Sequence, residues 1–373
     1  MLAFLDRSAA RLLLAVVIAA LALHVYGNRR IVAEDFALGA ENFHGHEDWN
    51  GTRFTASSPK EIAALLRELP AASSTPRPAT VLWLGNSQLH AVNQFKAGDH
   101  LAPYWLRKDW PCPDCLLPLG VSLPNASLQE FLVLYHAAST RVAIDAVIVA
   151  AVFDDLREDG LRPELDALLT EELRQRLQAS EVGRGILERT AQASGATRSA
   201  ENVGLEGFVQ KTFEDRLTAG LGAVWPLWEK RPELRAHLLT DLYYLRNHAL
   251  GIKATSVRPM IAPRLERNMR ALEALLSDCR ARGIPVVVYI APIRHDLPLP
   301  YDAREYSAWK TRLQTLVHEH HARLLNLESL VPPQYWGTQQ GDQIDFMHFQ
   351  GSGHRLVAEA LNPVLRRMLS GQR

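Results

Sequence analysis

The chain has no surplus of either charge. Its 41 Lys and Arg are balanced by 41 Asp and Glu, so the formal net charge at pH 7 is zero. Nucleic-acid binding draws on a basic excess, which is absent, and no acidic tail is present either. Cysteine is scarce, with three in 373 residues. Cys112 and Cys115 form Cys-Pro-Asp-Cys, and Cys279 stands alone. A zinc site needs more ligands at suitable spacing than this pair has near it. A thioredoxin-like redox motif opens a helix after a strand, whereas this one sits in the loop Trp110-Pro111-Cys112-Pro113. A local disulfide in an oxidising compartment is the preferred reading of the pair. Cys279, inside a helical pattern, reads as an inert buried thiol. His44-Gly45-His46 has no further metal ligands beside it. In His318-Glu319-His320-His321, His318 and His321 can share a helix face but imply no third ligand. No metal or cofactor is expected, and no internal repeat is apparent.

What is present is a hydrophobic fraction of 47%, enough for a sizeable core, and one long apolar run. Leu12 to Tyr26 is almost wholly apolar and follows Arg7 and Arg11. It is short for a membrane span of about 20 residues. Two readings stand: an uncleaved signal anchor, which is preferred, and a signal peptide cut after Ala20-Leu21-Ala22. Either places the rest of the chain outside the cytoplasm, which in a bacterial cell means the periplasm. Residues 1–30 are therefore read as anchor or signal, 31–78 as a juxtamembrane spacer with one helix, and 79–373 as the globular domain. The spacer helix opens at Ser58-Pro59-Lys60-Glu61, with Ser58 as N-cap and Glu61 closing a capping box.

The globular part alternates. Thr80 to Leu84 is a short apolar, β-branched run, as in a buried strand. Leu116 to Leu123 and Asp145 to Val152 read as the second and third strands, separated by a helix that Ser127 and Glu130 cap. Three strand-to-polar-turn junctions in succession fit an α/β sheet with a site at its strand C-termini. From about 160 to 255 the pattern is helical: Glu164 to Leu177, Phe208 to Leu221 and Leu234 to Leu250. This reads as an insertion that covers the site, binds a partner, shapes an acyl-acceptor groove or simply packs on the core. The alternation then resumes with a helix over 265–282, a strand over 285–290, a helix over 306–321, a strand over 323–327 and a closing helix over 353–369.

Gly85-Asn86 ends the first strand, and Ser87 follows at once, with a helix expected from Gln88 to Phe95. A Ser at such a turn lies near backbone N–H groups that favour developing negative charge. A nucleophilic hydroxyl also needs a general base, and the base an orienting acid. Both candidates stand in Asp345-Phe346-Met347-His348, where a three-residue spacing can place them side by side on a loop or helical turn. His354 is a rival base, but it reads as the start of the closing helix. Together, Gly85-Asn86-Ser87 and Asp345-x-x-His348 resemble the SGNH/GDSL hydrolase superfamily, in outline over residues 79 to 369.

That resemblance implies a three-layer, flavodoxin-like α/β fold: a parallel sheet flanked by helices. It implies Ser87 as nucleophile, His348 as base and Asp345 as its orienting acid. It implies oxyanion donors from the Ser87 N–H, from a Gly after the second strand and from an Asn after the third. The Gly position falls on Asn125, less well on Gly120. An Asn-Asp pair falls on Phe153-Asp154, so the donor Asn is missing. Asp154 and Arg157 border the site on this reading; Arg157 and Arg162 pair either with a substrate anion or with surface carboxylates. Arg294-His295 can also border it. An N-terminal anchor plus such a domain is similar in outline to D-alanyl-transfer proteins of teichoic acid synthesis and to alginate O-acetylation proteins. The expectation is an inner-membrane, single-pass protein, or one secreted after cleavage. It acts as an O-acyltransferase on a cell-surface polysaccharide or as a carbohydrate esterase. An acyl donor, a carbohydrate or polymer acceptor and a membrane-bound acyltransferase partner are implied. The alternative is a catalytically silent polysaccharide-binding or assembly component.

Overall fold

The computed structural model describes residues 43–44, 46–69, 77–201, 256–339 and 343–370. The chain divides into two compact units, 41–196 with 254–373, and 1–40 with 197–253. The second unit lies almost wholly outside the described residues, as do the apolar run at 12–26 and the expected helices at 208–221 and 234–250. Among the described residues, no helix is long and apolar enough to cross a membrane.

The first unit is built on a six-stranded sheet. Its strands are β1 (Thr55–Ala56), β2 (Ala79–Gly85), β3 (Leu116–Ser122), β4 (Ala146–Ala151), β5 (Val286–Ile290) and β6 (Arg323–Asn326). They lie in the order β6-β5-β4-β2-β3-β1, and each pairing is parallel. β2 to β5 are apolar nearly end to end because both faces of the sheet are covered. Leu82 and Leu84 point into one core with Val147, Val149 and Val288, while Val81 and Trp83 point into the other with Ile148 and Val287. The helices α4 (Leu128–Ser139), α7 (Ala262–Ala281) and α8 (Ala303–Glu319) cover the first face. The helices α3 (Ala102–Lys108) and α9 (Gly351–Ser370) cover the second. Burying each Val or Leu contributes about 1.5–3 kcal/mol. The indole N–H of Trp83, fully enclosed, donates to the Tyr289 hydroxyl at 3.3 Å, so no polar atom of that ring is stranded.

The local signals explain the element ends. Ser127 Oγ accepts from the Glu130 N–H and the Glu130 carboxylate accepts from the Ser127 N–H, each at 3.1 Å, closing the expected capping box of α4. In α1 (Pro59–Glu68) the box is only half made. Ser58 accepts from the Glu61 N–H, but the Glu61 carboxylate takes the N–H of Ser57, one residue earlier. Glu164 to Leu177 is not one helix. A 3₁₀ stretch, Pro163–Leu168, stops and α5 (Glu171–Gln178) starts afresh with Thr170 as its cap, followed by α6 (Glu181–Glu201). Cys112 and Cys115 are bridged at the end of the sheet where β3 begins. The Cys279 thiol is buried, and burial pushes its pKa up to about 12.

At β2 the chain order reverses: β3 lies on one side and β4 on the other. Beyond the C-terminal ends of strands at such a reversal a crevice opens, and open α/β sheets bind ligands there.

Candidate active site

Ser87 follows the C-terminal residue of β2 by two positions and opens α2 (Ser87–His90), a single turn. The helix expected to run to Phe95 stops at His90. The chain instead enters a two-residue pairing, Ala91–Val92 with Phe43–His44, and the Asn93 N–H donates to Phe349 O at 3.0 Å. One turn has little macrodipole, so the local field comes from unpaired N–H groups; Ser87, as the first helical residue, offers one. Asn86 fixes the turn. Its side-chain oxygen accepts from the Gln88 N–H at 3.0 Å, and its amide donates to Asp155 Oδ2 at 2.7 Å. Gln88 in turn donates to Pro292 O at 2.9 Å, tying the turn to the loop after β5.

Asp345 and His348 lie neither on a free loop nor on a helical turn. They stand on β8 (Gln343–Phe349), hairpin-paired with β7 (Trp336–Gln339). In a regular strand, residues three apart face opposite ways. Here the register jumps: Trp336 pairs with Phe349 and Thr338 with Ile344, so residues 345 to 348 bulge out opposite Gly337. The bulge folds back on itself. Asp345 Oδ1 accepts from the N–H of Met347 at 2.8 Å and of His348 at 3.0 Å, and Oδ2 lies 3.0 Å from His348 Nδ1. Asn93, fully buried, donates to Asp345 Oδ2 at 2.9 Å. Burial of Asp345 works against its charge, yet the His348 hydrogen bond and charge and the two N–H groups outweigh it. Its pKa stays below the ordinary carboxylate value.

An ionised Asp345 accepting at Nδ1 fixes His348 in the tautomer whose Nε2 is free to accept a proton. His348 Nε2 is buried and has no hydrogen-bond partner among the described residues. The turn that starts at Ser87 packs against β8. The turn that Ser87 opens thereby meets the strand that carries Asp345 and His348, although these residues are far apart in the sequence. Apo catalytic hydrogen bonds are commonly open and close in the substrate complex.

His354 is set apart from this chemistry. It is fully buried; Ala102 N–H donates to its Nδ1 at 3.3 Å and its Nε2 donates to Ala91 O at 3.0 Å. Burial lowers its pKa to about 4, so it is a neutral strut of the core.

The remaining expected donors fall as follows. Gly120 lies inside β3 with its N–H given to Phe54 O, so it cannot serve. Asn125 sits exposed on the turn after β3, at the same sheet end as Ser87, with a left-handed φ of 50°. Phe153 has no donor to offer and is buried among Tyr301, Tyr306 and Trp309. The residue after β4 that reaches the Ser87 turn is Asp155, through Asn86, one position beyond the sequence-based placement. Asp155 is buried, and burial pushes its pKa up to about 8 against the Asn86 hydrogen bond. Asp154 pairs with Arg258 at 2.8 Å and lies 3.9 Å from Arg157. Arg157 is committed to Pro259 O at 2.7 Å, and Arg162 is clamped on Glu130 at 2.7 and 2.9 Å. Both arginines therefore serve the fold as described. Arg294 pairs with Asp296 at 2.9 Å. Asn93 went unnoticed in the sequence, since it lies in no motif, and the acidic run 154–158 gave no reason to choose Asp155 over Asp154; only the fold brings Asn93 to Asp345 and Asp155 to Asn86. Among the described residues, no group of three or more His, Cys, Asp or Glu could hold a metal ion.

No family model matches the chain, and no curated protein matches it in sequence. Among solved structures it is similar to a candidate acylhydrolase from Bacteroides fragilis: 12% identity, TM-score 0.41, covering 87% of this chain and 99% of that one. It is also similar to a GDSL-like lipase from Bacteroides thetaiotaomicron, at 10% identity and TM-score 0.40, covering 83% and 98%. An α/β hydrolase enzyme from the metagenome of Lake Arreo, Spain, matches at 10% identity and TM-score 0.36, covering 81% and 97%. None of these likenesses is close enough to carry an activity across.

Proposed function

We propose that the protein is a serine acyl-transfer enzyme working through an acyl-Ser87 intermediate. The observation that carries this is the Asp345–His348 pair, 3.0 Å apart, with Nε2 unbonded, on a strand packed against the turn that Ser87 opens. Ser87 Oγ attacks the carbonyl carbon of an ester donor while its proton passes to His348 Nε2. The imidazolium is held by Asp345 and returns the proton to the leaving alcohol, whose C–O bond breaks. The acceptor's oxygen then repeats the sequence in reverse, and Ser87 is released. The Ser87 N–H and the Asn125 side chain are the proposed donors to the tetrahedral oxyanion. In a well-studied protease one such donor is worth about 3–4 kcal/mol.

The acceptor on this reading is the hydroxyl of a cell-surface polysaccharide, with ester hydrolysis by water a close second. Support comes from the apolar run at 12–26, read as an anchor with the domain outside the cytoplasm, and from the SGNH-like motifs. A membrane-bound acyltransferase is the proposed partner. One observation favours a silent, polysaccharide-binding role: Phe153, which has no donor, stands where a donor amide is expected, and the carboxyl groups of Asp154 and Asp155 follow it. The two readings separate on one experiment. The full chain is mixed with p-nitrophenyl acetate, quenched in acid and weighed intact. An acetyl adduct that maps to Ser87 supports the enzyme, and its partition between water and a soluble oligosaccharide tells hydrolase from transferase. A chain that never acquires the adduct is the silent component.

A further inference from the structure

We propose that Asp155 is a positioning residue for Ser87: its buried carboxyl holds the Asn86 side chain in the one orientation that keeps the Ser87 turn closed. The inference rests on the acyl-Ser87 reading. α2 is a single turn, and one turn of helix does not hold itself together. Side chains tie it down from three directions. Gln88 reaches Pro292 in the loop after β5. His90 Nδ1 lies 3.0 Å from Ser122 Oγ at the end of β3. Asn86 reaches Asp155 after β4.

The Asn86 tie differs from the other two in what it controls. Asn86 is the N-cap residue and stands next to Ser87. Its Oδ1 accepts from the Gln88 N–H at 3.0 Å, and its Nδ2 donates to Asp155 Oδ2 at 2.7 Å. A planar amide that caps a turn with its oxygen points its nitrogen the other way. An acceptor at that nitrogen excludes the flipped amide, and Asp155 supplies one either as a carboxylate or as a carboxylic acid. Asn86 is 1% exposed, too enclosed for bulk solvent to take over this role.

Asp155 is itself held still. It lies in the 3₁₀ stretch Asp154–Arg157, and its carbonyl oxygen accepts from the Glu158 N–H at 3.0 Å. Asn268 of α7, fully buried, donates to Leu156 O at 3.2 Å and to Glu158 O at 2.9 Å. The neighbouring Asp154 turns to Arg258 instead. The charged groups that bear on Asp155, namely Asp154, Glu158 and Glu130, are all acids. A buried carboxyl in such company detracts from stability. What the arrangement provides is the fixed Asn86 amide.

The test is a double-variant cycle read on acylation. The full chain is mixed with p-nitrophenyl acetate, and the burst of p-nitrophenolate is followed over a range of ester concentrations. A small misplacement far from the chemistry can cost about 100-fold. Asp155→Leu should therefore lower the saturating acylation rate by about 10- to 100-fold, with the half-saturating ester concentration moved by less than about threefold. Asp155→Asn keeps an acceptor at Asn86 and should stay within about threefold of wild type. Asn86→Ala should be slow as well. Adding Asp155→Leu to it should slow acylation by less than about twofold more, because Asp155 acts only through Asn86. If Asp155→Leu does not unfold cooperatively, Asp155→Ala takes its place with the same expectations. A wild-type rate in Asp155→Leu, no recovery in Asp155→Asn, or losses that multiply in the double variant overturn the positioning role while leaving acyl-Ser87 standing. A wild-type chain that shows neither a burst nor an adduct at Ser87 removes the acyl-serine reading, and this inference with it.

Discussion

Four donors converge on the Asp345 carboxylate: the Asn93 amide, the N–H groups of Met347 and His348, and His348 Nδ1. A carboxylate so surrounded can stay ionised in a buried place and hold one imidazole tautomer. Asp345→Asn keeps the shape and loses the charge; an analogous change in a serine protease costs about 10⁴-fold. We expect a fall of that order in the rate of Ser87 acylation, with thermal unfolding showing a folded chain. Asn93→Leu removes one donor and leaves the imidazole in place. The acylation rate should fall by about 10-fold, given that a hydrogen bond to a charged group is worth about 1.5–3 kcal/mol. The acid limb of the pH–rate profile should shift as well, a change that loss of packing alone would not produce. Asp155 behaves in the opposite way. Burial raises its folded-state pKa from 3.8 to about 8. Below about pH 4 the carboxyl is protonated in folded and unfolded chains alike. Between about 4 and about 8 the unfolded chain gives up the proton and the folded chain keeps it, so stability falls as pH rises through that window. Asp155→Asn removes the titration and leaves an acceptor for Asn86. Its melting temperature relative to wild type should climb from pH 5 to pH 8; a constant difference would mean that Asp155 is not buried neutral.

The β7–β8 hairpin is the element that makes the pair. Its bulge sets four residues of one strand against Gly337 of the other. A Cβ on Gly337 would overlap the Asn93 side chain, and through Asn93 the change reaches Asp345. Gly337→Ala should therefore lower the Ser87 acylation rate about 10-fold or more, with a stability loss of about 1–3 kcal/mol. An unchanged rate would show that the bulge does not need Asn93. Elements of this kind mark where the sequence stops being legible. The strands at 79–85, 116–122 and 146–151 were readable because both sides are buried and the whole run is apolar. Ser127 and Glu130 announced a helix start because a capping box is a local device. Asp345 and His348 were readable as a pair, but not as a bulged strand, since a register jump depends on the partner strand. The stop at His90 was hidden for the same reason: long-range bonds to 43–44 and Phe349 end that helix. Asp155 was misplaced by one residue because nothing local tells which of two adjacent acids turns inward to Asn86.

Across the whole first unit, the chemistry is gathered at the C-terminal end of the sheet, and the Cys112–Cys115 bridge stands at the opposite end, where β3 begins. Reducing that bridge should leave the Ser87 acylation rate within about twofold, because surface changes away from special features usually cost no more than about 0.5 kcal/mol. A large loss on reduction would instead give the pair a part in the activity. The central claim is that residues some 260 positions apart in the chain form one nucleophilic machine, and fluorophosphonate labelling of the full chain addresses it most directly. Wild type should be labelled at Ser87, with Ser87→Ala unlabelled and His348→Ala slowed by about 10³-fold or more. Labelling of His348→Ala at the wild-type rate, or no labelling of a folded wild-type chain, would contradict it.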